Sequence, residues 1–277
     1  MAAWTIPPSH KPIGVFDSGI GGLTVVRALA DRLPRENIVY FGDTARVPYG
    51  SKSEDVVREY AIEDASFLVE QGVKMIVVAC NTVSAIAIDD LTARFDVPVI
   101  GMISAGAAAA LAASQSRRVG VIGTLATIAS RAYTRALQAA DGATLVVPKA
   151  CPLFVPLAEE GWGAHPVAAM VAAEYLGPMR NDHIDTLILG CTHYPILREV
   201  IQHAIGSDVT LVDSGEAAAA EVEAVLTERG DLNDSPDQPA CTFYVSDVPQ
   251  QFKQLGEIFL GKKDLRVQRV GIAGSRR

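Results

Sequence analysis

A parallel α/β protein is expected from three features of the sequence: short β-branched runs that recur along the chain, helical periodicity between them, and strands that are apolar on both faces. The runs lie at 13–16, 38–41, 75–79, 97–100, 119–122, 144–147, 187–189 and 209–212. Helical periodicity fills stretches between them, as at 23–33, 53–70 and 131–140, each bounded by Gly, Pro or Asp. The third run, Met75-Ile76-Val77-Val78-Ala79, does not alternate. A strand covered by helices on both faces has no need to, whereas an antiparallel sandwich would. After a polar, loop-like stretch at 230–239, a last strand at 241–245 and a helix at 250–259 are predicted.

The eight runs fall into two sets of four. Ile13-Gly14-Val15 recurs as Val119-Gly120-Val121 at an offset of 106, the strand ending at Cys80 recurs as the strand ending at Cys191 at 111, and 97–100 matches 209–212 at 112. Near-constant offsets predict two pseudo-symmetric α/β lobes with the active site in the cleft between them. The first would hold residues 1–100 and 212–277 with Cys80, and the second residues 101–211 with Cys191. No Pro/Ser-rich linker separates the sets, which predicts close packing.

The 277 residues suffice for a sizeable core, and 49% hydrophobic against 20% charged residues excludes disorder over most of the length. A net charge of −8 offers no basic field for a phosphate backbone, so nucleic acid is not expected as the main partner. The most apolar run, 97–113, is rich in Ala and Gly and contains Ser104, so no membrane span is expected. MAAWTIPPSHKP at the N-terminus has neither the charged nor the apolar region of a signal peptide, which predicts a cytoplasmic protein. Cys80, Cys151, Cys191 and Cys241 are widely spaced, and in that compartment they are expected as thiols rather than disulfides.

In open parallel sheets ligands bind beyond the carboxyl ends of the strands, which directs attention to the residues after each run. These are Asp17-Ser18-Gly19 after the first, the 42–50 segment after the second, Cys80-Asn81-Thr82 after the third and Cys191-Thr192-His193 after the seventh. A thiol directly before a helix meets partial positive charge and free N–H groups, which predicts a lowered pKa at both cysteines. The bland alternative is that each is a small buried hydrophobe. Asp17 and His193 are the natural acid/base partners of the thiols. Asp17 has a second reading as the cap of a helix starting near Gly21, and His193 as a surface histidine. Cys191 and His193 lack the further nearby ligands that tetrahedral zinc requires, so no metal is expected. Gly19-Ile20-Gly21-Gly22 departs from the dinucleotide fingerprint, and no Walker lysine follows any glycine-rich loop.

Seven segments, taken together, resemble the glutamate racemase family of the cofactor-independent aspartate/glutamate racemase superfamily. They are Phe16-Asp17-Ser18-Gly19-Ile20-Gly21-Gly22-Leu23-Thr24-Val25, Tyr40-Phe41-Gly42-Asp43-Thr44-Ala45-Arg46-Val47-Pro48-Tyr49-Gly50, Ala79-Cys80-Asn81-Thr82, Gly120-Val121-Ile122-Gly123-Thr124, Cys151-Pro152-Leu153-Phe154-Val155-Pro156, Gly190-Cys191-Thr192-His193-Tyr194-Pro195 and Val212-Asp213-Ser214-Gly215-Glu216. The resemblance covers nearly the whole chain. It implies racemisation of glutamate by two thiols, no cofactor, and a role in supplying D-glutamate for peptidoglycan. Cys80 and Cys191 would be the catalytic thiols, supported by Asp17, His193 and a glutamate that maps to Glu159, with Glu160 beside it. Substrate contacts would come from Asp17, Ser18, Pro48, Tyr49, Gly50, Asn81, Thr82, Thr124, Thr192 and His193. Both monomers and homodimers occur in the family. Ile103-Ser104-Ala105-Gly106 departs from the family pattern and leaves the local loop shape open. Rival readings are a superfamily relative acting on aspartate, a hydantoin or a malonate, and a two-lobed binding protein that would tolerate loss of either thiol.

Overall fold

The structure, a computed structural model, describes residues 7–261 and 265–271. Residues 1–6, half of the N-terminal segment read above for targeting, lie outside the described residues.

In chain order the first half comprises β1 (Ile13–Asp17), α1 (Leu23–Arg32), β2 (Ile38–Gly42), α2 (Glu54–Glu70), β3 (Met75–Val78), α3 (Asn81–Ile86), α4 (Ile88–Arg94), β4 (Val99–Gly101) and α5 (Met102–Ala113). The second half comprises β5 (Arg118–Gly123), α6 (Leu125–Ala129), α7 (Ala132–Ala140), β6 (Leu145–Ala150), α8 (Phe154–Glu159), α9 (Pro166–Leu176), β7 (Thr186–Gly190), α10 (Arg198–Ile205), β8 (Thr210–Asp213) and α11 (Ser214–Arg229). The chain then returns with β9 (Cys241–Val245), α12 (Pro249–Leu260) and β10 (Val267–Arg269).

These strands form two parallel sheets, ordered β10-β9-β2-β1-β3-β4 and β6-β5-β7-β8. Removing β9 and β10 leaves the same order in both, β2-β1-β3-β4 and β6-β5-β7-β8, so β1 corresponds to β5 and β3 to β7. The recurring Ile-Gly-Val and Val-Gly-Val runs are therefore the inner strands β1 and β5. Every residue of β1, β3 and β7 is buried, which accounts for their lack of alternation. The last strand of the second sheet ends at Asp213, so its final two residues, Val212 and Asp213, fall in the segment expected to belong to the first lobe. The run from Ser214 then forms α11, which packs against both α5 and α1 and so bridges the helices of the two sheets.

Pro148 in β6 is tolerated because β6 is an edge strand with one side unpaired. The Ile103-Ser104-Ala105-Gly106 segment is helical: α5 begins at Met102, directly after β4 ends, so no loop intervenes there. Among the described residues no helix is long and apolar enough to cross a membrane.

Candidate active site

Both sheets end at one cleft of about 190 Å³. Its walls are the segments after β1 (Ser18, Gly19), β2 (47–51) and β3 (Cys80, Asn81, Thr82), facing those after β5 (Thr124, Leu125), β6 (Pro152 to Glu159) and β7 (Cys191, Thr192, His193). Twelve of the thirteen residues singled out from the sequence line it; Asp17 does not.

Asp17 is wholly buried behind the wall. Its Oδ2 accepts the N–H groups of Gly19 at 3.1 Å and Gly22 at 3.0 Å, tying the glycine turn to the end of β1. Burial pushes its carboxyl above the usual range, against the opposing pull of His193 and of these N–H donors.

Cys80 caps α3 and is 6% exposed, with its Sγ 3.7 Å from Ser18 Oγ. The expected lowering of its pKa does not occur: burial and the negative charge of Asp17 push the thiol up to about 12. The N–H of Val83 and the Ser18 hydroxyl oppose this and lose to desolvation, the largest of these effects.

The wall from Val47 to Gly50 is braced from beneath by charged groups. Arg46 pairs with Asp43 at 2.6 Å and Asp64 at 3.0 Å, reaches Glu63, and lies 3.9 Å over the Tyr60 ring. The buried Tyr49 hydroxyl donates to Asp64 at 3.0 Å and also meets Asp43. Burial beside Asp43 holds the Asp64 carboxyl well above its ordinary range despite Arg46. Where this wall meets the second sheet, Gly50 lies so close to Thr124 that an added Cβ would sit 2.9 Å from the threonine's own.

On the opposite side, Cys191 is 7% exposed and is followed by a short 3₁₀ turn at Tyr194–Leu197, so α10 begins seven residues downstream rather than at the thiol. Its neighbour is a histidine instead of a helix end. His193 Nδ1 lies 3.8 Å from Cys191 Sγ, and its Nε2 lies 3.0 Å from Glu159 Oε1. Burial opposes charge on the ring, but the hydrogen bonds and negative charge of Cys191 and Glu159 carry its pKa from 6.5 up to about 10. Glu159, not the exposed Glu160, is the carboxylate that faces this histidine.

The two sides are also joined. Thr24 in α1 donates to the Thr192 carbonyl at 2.9 Å, and Thr82 bonds Thr124 at 3.0 Å and Thr127 at 3.2 Å. Thr127 escaped the sequence reading. The local signal was present, since its backbone N–H is capped by Thr124 three residues earlier, but only the fold brings Thr82 to the pair. Gly21 rests directly on Thr192 and His193, so that an added Cβ would collide with both side chains. Gly21→Ala should therefore displace the second thiol's histidine while leaving the chain folded. We expect kcat/KM to drop at least about tenfold with a modest change in urea midpoint, measured by coupled turnover and denaturation. Full activity would show that the turn yields without moving His193.

Among the described residues no group of three His, Cys, Asp or Glu side chains is placed to hold a metal ion. Paired parallel sheets that present two buried cysteines to one cleft define a class of α/β enzymes with thiols at matched strand ends. A sequence profile of the Asp/Glu/Hydantoin racemase family matches residues 20–222. The glutamate racemase of Chlorobaculum tepidum is 52% identical over 272 residues, covering 96% of this chain and 100% of the relative, and that of Syntrophus aciditrophicus is 51% identical over 95% and 97%. Among solved structures, glutamate racemase RacE1 of Bacillus anthracis superposes with a TM-score of 0.91 at 38% identity, covering 95% of this chain and 98% of that one. The Francisella tularensis enzyme in complex with D-glutamate gives 0.89 at 42%, covering 96% and 99%. The chain belongs to the Asp/Glu/Hydantoin racemase family and is an isomerase.

Proposed function

We propose that the protein interconverts L- and D-glutamate by moving one proton off Cα and another on, with Cys80 and Cys191 as the two proton carriers and no cofactor. The observation that carries this reading is the placement of two buried cysteines at equivalent strand ends, after β3 and β7, on opposite walls of one cleft. Each sheet with its helices is read as a lobe that supplies one thiol.

Inversion requires that the base and the acid stand on opposite faces of Cα, one sulfur as thiolate and the other as thiol. With L- and D-glutamate the roles exchange, and after each turnover the proton sits on the other sulfur. On this reading His193, protonated and held by Glu159, offers its Nδ1–H to Cys191, an N–H···S contact of the kind a thiolate accepts. Cys80, raised by burial and by Asp17, is the thiol that donates. Departure of the Cα proton leaves a carbanion beside a carboxylate, and Ser18, Asn81, Thr82 and Thr192 provide preorganised donors for that charge. Thr124, Pro48, Tyr49 and Gly50 form the remaining substrate contacts. The product reading follows: D-glutamate made in a bacterial cytoplasm for peptidoglycan synthesis.

The test is proton NMR of L-glutamate with purified, reduced protein in D₂O, with chiral analysis in parallel. Loss of the α-proton signal together with appearance of D-glutamate supports the reading. Exchange with aspartate or a hydantoin but not glutamate would transfer it to another branch of the family, and no exchange with any of them would overturn it.

A further inference from the structure

Tyr133 takes no part in the mechanism above, yet it touches both thiol loops. It lies in α7 of the second sheet's layer and is 2% exposed. Its ring occupies a slot between two glycines: a Cβ added at Gly106 or at Gly190 would stand 3.1 Å from it. Gly190 immediately precedes Cys191. At the ring's polar end the hydroxyl donates to Asn81 Oδ1 at 2.7 Å, and Asn81 immediately follows Cys80. The Met102 carbonyl lies further off, at 3.3 Å.

The contacts on either side of the Asn81 amide favour one orientation of it. Ser214 gives its one proton to the Leu189 carbonyl at 3.1 Å, so toward Asn81 it can only accept, and it accepts from Nδ2 at 3.3 Å. The amide oxygen then points to the phenol, whose proton it receives. One N–H of Nδ2 remains, and Asn81 lines the cleft. The opposite amide orientation would turn a carbonyl dipole toward an anionic substrate.

We infer that Tyr133 is a positioning residue for racemisation: its phenol, wedged between Gly106 and Gly190, holds the Asn81 amide so that an N–H rather than a C=O serves the cleft. The inference rests on the proposed racemase reading. Burial pushes the phenol pKa up, so the donor proton persists across the working pH range. Because the charge that this N–H meets grows as the Cα proton leaves, the effect belongs to turnover more than to substrate binding.

Tyr133→Phe keeps the ring in its slot and removes only the hydroxyl. In this variant kcat should fall about tenfold in both directions while KM changes less than about threefold, the size expected for one lost buried hydrogen bond that acts in the transition state. In an Asn81→Ala background the same change should cost nothing further, because the amide it orients is gone. Wild-type kcat in Tyr133→Phe, or an equal loss in both backgrounds, overturns the inference, the second outcome marking a general packing effect. The wild-type protein is first assayed on glutamate, aspartate and a hydantoin, and the variants are compared on whichever it racemises. Activity on glutamate with an unaffected Tyr133→Phe refutes this inference alone, whereas a wild-type protein inactive on all three refutes the racemase reading and this inference together.

Discussion

Cys80→Ser and Cys191→Ser should each lower glutamate racemisation by about 10²- to 10⁴-fold, the contribution of a positioned proton carrier. Serine preserves the shape of each site but is far too weak an acid to share a proton with the remaining sulfur at neutral pH. The two variants should also differ from each other. A protein left with one sulfur can still draw the α-proton from whichever enantiomer presents it to that side, so exchange in D₂O without inversion should survive on opposite enantiomers in the two variants. Chiral chromatography with α-proton NMR reads both effects. A variant that retains more than about a tenth of wild-type inversion would remove its cysteine from the mechanism.

The second large effect concerns pH. His193 is carried from 6.5 to about 10 in the folded protein, so between those values the folded chain binds a proton that the unfolded chain has released. Stability from this site is therefore complete below about pH 6.5, falls as pH rises, and is lost above about 10. The unfolding free energy of the wild type should decline over this window, and that of His193→Asn should decline less. If the imidazolium serves catalysis, kcat/KM should also fall through an alkaline limb near pH 10. Glu159→Gln removes the negative charge 3.0 Å from Nε2 and should move that limb to lower pH. A limb unmoved by Glu159→Gln would mean that another group sets it. The first thiol is also pushed up, to about 12, so the titration of Cys80 lies above the limb and does not shape it.

Most of the scaffold was legible because inner parallel strands are written as unbroken apolar runs. Predicted limits at 13–16, 38–41 and 75–79 fall within a residue of the observed β1, β2 and β3. The internal repeat, inferred from three short matches, corresponds to a shared strand order that no single match could have revealed. β10 went unread because Val267-Gln268-Arg269 carries no apolar pattern: Val267 packs against the core, while Gln268 and Arg269 are exposed and the strand shows itself only in its pairing with β9. At the site, residues that follow strands were legible, since the rule for parallel sheets points to them. Electrostatics was not: whether a helix end outweighs burial at Cys80 depends on how many donors are free and how much water is excluded. Thr127 and Tyr133 were missed for a related reason, as their importance lies in partners more than forty residues away in sequence.

The two sulfurs stand in unlike surroundings, one beside a buried carboxyl and the other beside a histidine held by Glu159. The substrates they would interconvert are mirror images with equal free energies in water. On the two-thiol reading, thermodynamics then requires kcat/KM to be identical for the two enantiomers, while nothing requires kcat or KM separately to match. The lopsidedness of the cleft can show itself only under saturation, as a faster turnover in one direction compensated by a proportionately higher KM, so that at low substrate the protein behaves as though its two halves were perfect reflections.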